Sequence, residues 1–84
     1  MYRVTTDDHS QPQIGALPPN AGASFAEAHV VLEVSPWSGE SLNAANPDAG
    51  VRTLTFSPTG QGMITYLILE DQRRVDILDV LWLD

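Results

Sequence analysis

The side chains able to do polar chemistry are few and unevenly placed. The basic ones are Arg3, Arg52, Arg73 and Arg74, with no lysine, set against eleven carboxylates for a formal net charge of −7. Only Arg73 and Arg74 adjoin one another, so phosphate chemistry has a single small cationic cluster to draw on, and unaided nucleic-acid binding is disfavoured. A basic protein partner suits such a surface better. His9 and His29 lie twenty residues apart with no HxxxH pair, so no metal site is expected. Ser10, Ser24 and Ser57 lack a GxSxG setting and read as cap or turn residues. Gly60-Gln61-Gly62 is followed by neither a helix nor a lysine, which makes it a hairpin turn rather than a phosphate loop.

Tyr66 is the aromatic that could stack on a base or donate a proton. It alternates with Ile64 and Ile68, and a tyrosine among aliphatics of the same parity usually buries its ring. Asp76 and Asp79 have opposite strand parity, so they cannot pair on one face. Asp79 shares parity with Val75, Ile77 and Leu81, which makes it the more unusual of the two; it is either solvated or placed to receive a partner's arginine. A register slip of one residue would exchange it with Leu78 or Val80.

These residues ride on short elements. Met1–Thr5 alternates as a first strand, and Asp7 or Asp8 can cap a helix from about His9 to Leu17, closed by Pro18-Pro19. Asn20 is the expected N-cap of a second helix, Ala21 to about Val34, whose apolar stripe takes in Phe25, Ala28, Val31 or Leu32, and Val34. Residues 36–50 have loop chemistry, with Trp37 as a plug against the sheet edge. Three strands follow, Arg52–Phe56, Met63–Leu69 and Val75–Leu83, joined by short turns that make them antiparallel neighbours. The expected architecture is α+β, two N-terminal helices on a four-stranded antiparallel sheet in the order β-α-α-β-β-β, forming one domain over residues 1–84.

Eighty-four residues leave little room for a deep pocket, so a site is expected on an exposed face or at an interface. With no cysteine there is no disulfide or thiolate chemistry, and no apolar run approaches the roughly 20 residues of a membrane span. A cytoplasmic protein without cofactors is the expectation.

The element order, together with Leu17-Pro18, Leu32, Ser35-Pro36-Trp37-Ser38-Gly39, Val51-Arg52-Thr53-Leu54, Tyr66 and Leu78-Asp79-Val80-Leu81-Trp82, resembles small toxins of the RelE/ParE superfamily of bacterial type II toxin–antitoxin systems. The resemblance implies a toxin neutralised by a cognate antitoxin and acting on translation, by ribosome-dependent mRNA cleavage, or on gyrase. It implies for Arg52 a phosphate-stabilising, catalytic role, with help from Arg73 or Arg74; Arg73, Arg74, Asp79 and Tyr66 are the candidate binding residues. A strand-edge arginine paired with Asp48 is the structural alternative for Arg52. Met63 and Asp79 stand where many relatives are basic, and the sequence stops at Asp84, short of the C-terminal residues that supply a catalytic Tyr, His or Lys. Those departures favour, as the alternative function, a catalytically degenerate member kept as a protein-binding module.

Overall fold

A computed structural model of the chain describes residues 1–42 and 50–83. In chain order it contains β1 (Arg3–Thr5), α1 (Ser10–Gly15), a 3-10 turn (Pro19–Ala21), α2 (Gly22–Val34), a second 3-10 turn (Pro36–Ser38), β2 (Glu40–Ser41), β3 (Val51–Phe56), β4 (Gly62–Leu69), a third 3-10 turn (Glu70–Gln72) and β5 (Arg74–Trp82). The class is the expected α+β. The sheet differs from the expectation in having five strands in the order β1-β5-β4-β3-β2, with β1 parallel to β5 and every other pair antiparallel. Short turns dictate the antiparallel meander of β3, β4 and β5, but the direction of β1 depends on a pairing between residues 71 apart, Val4 with Val75, which no local signal encodes.

Asp7 caps α1, and Asp8 does not. The Asp7 carboxylate accepts from the backbone N–H groups of Ser10 (2.8 Å) and His9 (3.1 Å), while the Ser10 hydroxyl, fully buried, accepts from the Asp7 N–H at 3.1 Å. The helix ends two residues before Leu17. At α2 the cap expectation fails: Asn20 sits inside the 3-10 turn, and α2 starts after Ala21 with no side-chain cap.

Along α2 the inward positions are Phe25, Ala28 and Leu32, so Leu32 rather than Val31 is fully buried, and Val34 turns outward. They meet Ile64, Tyr66 and Ile68 of β4, Val75, Ile77 and Val80 of β5, and Phe56 of β3. Phe56 packs edge-on against Phe25 (ring centroids 5.6 Å apart) and lies over Gly62, its ladder partner. A Cβ at position 62 would overlap that ring, which is why the strand opens on glycine.

The ladder between β4 and β5 carries a bulge: Thr65 pairs with Asp79 but Tyr66 with Ile77, leaving Leu78 as the extra residue. Strict alternation would put Asp79 beside Val75 and Ile77. The bulge moves it off that buried face, to the side of Thr65, and lets Ile77 and Val80 both face the helices. Asp76 and Asp79 consequently share the outer side, contrary to the parity reading. No helix of the described residues is long and apolar enough to cross a membrane.

Candidate functional site

Arg52 and Tyr66 are direct partners in the β3–β4 ladder, on the side of the sheet that faces the helices. Both reach the turn that follows α2. The Tyr66 hydroxyl donates to the Pro36 carbonyl at 2.5 Å, and Arg52 Nη1 donates to the carbonyls of Gly39 (2.8 Å) and Trp37 (3.4 Å), with its guanidinium 4.8 Å from the centre of the Trp37 ring. Position 39 must be glycine, because a Cβ there would overlap the Tyr66 hydroxyl and crowd the Thr53 carbonyl. Tyr66 is completely buried, as its aliphatic neighbours imply, and burial raises its pKa despite the opposing effect of the Arg52 charge and the Gly39 backbone.

From Trp37 the contacts continue along the end of the sheet. Trp37 Nε1 donates to Glu70 Oε1 at 2.7 Å, and the Tyr2 hydroxyl donates to the same oxygen at 2.6 Å. Arg73 Nη1 donates to the other oxygen at 3.1 Å and lays its guanidinium 4.5 Å from the centre of the Tyr2 ring. Tyr2, Trp37 and Arg73 together hold the Glu70 carboxyl below its ordinary value, while that same carboxylate, with some burial, pushes the Tyr2 phenol up. Arg73 takes a left-handed backbone, φ 50°, at the end of the tight turn into β5, and its side-chain contacts hold it there.

Three of the residues singled out from sequence, Arg52, Tyr66 and Arg73, thus meet in one network. Arg74 and Asp79 stand apart from it. Arg74 forms a two-pronged pair with Asp76 (2.8 and 3.2 Å) beside Thr5, whose hydroxyl donates to the same carboxylate at 2.5 Å. Burial pushes Asp76 upward, but the Thr5 and Arg74 hydrogen bonds and the charges of Arg74 and Arg3 outweigh it, leaving the group lowered. Asp79 accepts from Gln13 Nε2 at 2.8 Å and lies 3.0 Å from His9 Nε2; Gln13 Oε1 in turn accepts the Val80 N–H at 2.9 Å, closing the open edge of β5. Asp79 is therefore engaged by α1 rather than simply solvated. Asp48, offered as the partner of Arg52, lies outside the described residues.

Glu70, the hub of the network, was not legible in the sequence. Its two aromatic donors lie 68 and 33 residues away, and no spacing rule links them. Trp37 was legible as an anchor, but it holds its turn through its N–H and ring face while staying 39% exposed. Chemically the network clamps a turn: it satisfies carbonyls and one carboxylate. On the opposite face of the sheet Val51, Thr53 and Thr55 of β3 meet Leu67, Thr65 and Met63 of β4 with no charge among them, flanked by the carboxylates of Asp76 and Asp79 on β5 and Glu40 on β2. Among the described residues no three His, Asp or Glu side chains gather as a metal site.

No protein-family model and no curated protein matches the sequence. Among solved structures, isolated E. coli RelE toxin superimposes on 100% of this chain and 86% of its own length, with a TM-score of 0.80 at 10% identity. This chain has the RelE fold. The intact E. coli RelBE toxin–antitoxin complex shows the same RelE fold over 100% of this chain and 99% of the matched one (TM-score 0.79, 12% identity). The RelBE2 toxin–antitoxin complex of Mycobacterium tuberculosis matches 96% of this chain and 90% of the other, with a TM-score of 0.61 at 21% identity. The RelE fold accounts for the helix pair over a twisted sheet, and at these identities the likeness is one of fold.

Proposed function

We propose that this chain, acting as a single cytoplasmic domain, is the toxin component of a type II toxin–antitoxin pair, neutralised by a cognate antitoxin protein. The observation that carries the reading is the end-to-end likeness to a chain from an intact toxin–antitoxin complex, 100% of one and 99% of the other. The action falls on translation, by ribosome-dependent mRNA cleavage, or on gyrase. In the nuclease case Arg52 stabilises the phosphate, and it must then exchange the Gly39 and Trp37 carbonyls for that ligand.

A second reading, a degenerate member that binds protein without toxic chemistry, is favoured by a specific pair of observations. Arg52 is engaged by the turn it clamps, and the outer side of β3 and β4 carries no cation for a phosphate to meet, only the flanking carboxylates of Asp76, Asp79 and Glu40. Induced expression of the parent chain and of Arg52→Ala at equal soluble levels separates the readings, with circular dichroism confirming both folds. Growth arrest by the parent, lost in the variant, supports the toxin; no arrest from folded parent supports the binding module.

A further inference from the structure

The charge of this chain is segregated. From Val4 through Gly39, the stretch that holds both helices, there is no Lys or Arg, while Asp7, Asp8, Glu27 and Glu33 fall in it. All four arginines belong to β1, β3 or the entry to β5. The helical layer is therefore anionic and the cations lie in the sheet layer.

Against that anionic layer α2 presents an apolar outer side. Val30 and Val34, one turn apart, are 54% and 61% exposed, and the Tyr2 N–H donates to the Glu33 carbonyl at 2.8 Å, which brings Met1, 83% exposed, to the same end of the helix. Trp37 lies in the next turn there, Pro36–Ser38. β-Branched residues are mediocre helix formers, so two exposed valines contribute neither propensity nor burial to the isolated chain. Glu27 and Glu33 are the carboxylates of α2, and Glu33 pairs with His29 at 3.4 Å. A net charge of −7 opposes a second copy of this chain on that side.

We propose that the outer side of α2, centred on Val30 and Val34 and extended by Met1, docks an amphipathic helix of a partner protein whose apolar stripe is flanked by Lys and Arg. The inference deepens the antitoxin reading by naming the face and the chemistry of the partner segment. Apolar contact supplies the seat, and the partner's cations meet helices that carry no Lys or Arg; Arg73 over Tyr2 and Arg52 over Trp37 lie at the Met1 end alone.

The test titrates the full chain, isotope-labelled for amide NMR, with a designed helical peptide of about 20 residues, long enough to exceed the roughly 20 Å length of α2. The peptide carries leucines on one face and lysines beside them; a control has the same leucines flanked by glutamates. Expected are amide shifts confined to Tyr2 and the outer positions of α2, weakening with salt, and roughly tenfold or greater loss of affinity in Val30→Glu/Val34→Glu at unchanged melting temperature. Val30→Ser/Val34→Ser replaces that variant if it does not fold. No binding, equal binding of the glutamate-flanked control, shifts on the outer sheet face, or full affinity in the folded variant would each overturn the proposal. Concentration-dependent shifts of the same amides without peptide would overturn it in favour of self-association. Growth arrest does not enter this measurement, so the docking face and the toxin reading succeed or fail separately.

Discussion

The Tyr66 hydroxyl fills the space that a side chain at position 39 would need, and from there it donates to the carbonyl of Pro36. Gly39→Ala therefore forces either the phenol or the β3 backbone to move, since the Thr53 carbonyl is also close. Overpacking of this kind costs about 1–3 kcal/mol, to be read as a lower urea midpoint with an unchanged m-value.

Tyr66→Phe takes the phenolic donor from the Pro36 carbonyl and leaves it only the long contact from the Gly39 N–H, 3.5 Å. The expected loss is about 1–3 kcal/mol. Combined with Gly39→Ala it should cost less than the sum of the two, because removing the hydroxyl makes room for the new methyl group, and a double-mutant cycle measures the difference.

Leu32 and Val34 lie two residues apart on α2, one fully buried and one 61% exposed. Leu32→Ala should destabilise by about 2–5 kcal/mol through the cavity it leaves. Val34→Ala should change stability by about 0.5 kcal/mol or less, and equilibrium unfolding of the two variants side by side checks the facing of the helix.

Acid should weaken the fold through identifiable carboxylates. Asp7 is lowered by the Ser10 backbone and hydroxyl and by the His9 backbone, Glu70 by Tyr2, Trp37 and Arg73, and Asp76 by Thr5, Arg74 and Arg3 acting against burial. A carboxyl lowered in the folded state contributes stability that is complete above its unfolded value, about 3.9–4.3, and that disappears as pH falls through the lower folded value. Melting temperature should hold above about pH 5 and drop below about pH 4, and Glu70→Gln should make that acid limb shallower.

The elements written in local periodicity were readable. The alternation of Met63–Leu69 gave β4 to within one residue, the Tyr66 ring lies in the core, and Phe25, Ala28 and Leu32 line the buried side of α2. What the sequence concealed depends on partners far apart. The parallel seat of β1 against β5 joins residues 71 apart, and the bulge at Leu78 breaks the period-two rule on which the placement of Asp79 relied. Arg52 was recognisable as the arginine opening a strand, but its ligands are backbone carbonyls of a turn, and a carbonyl has no letter in a sequence. Glu70 stayed hidden for the same reason: its donors, Tyr2 and Trp37, come from two other elements.

The strand order has a kinetic consequence. β5 is the last strand along the chain, yet it lies between β4 and β1, so the first strand has no neighbour until the last has been made. A ribosome-bound chain ending at Leu69 would hold two helices with no strand of β5 to cover and an unpaired β4 edge. Such a topology delays closure until β5 has been made and leaves a window in which a partner or a chaperone can reach the unfinished sheet.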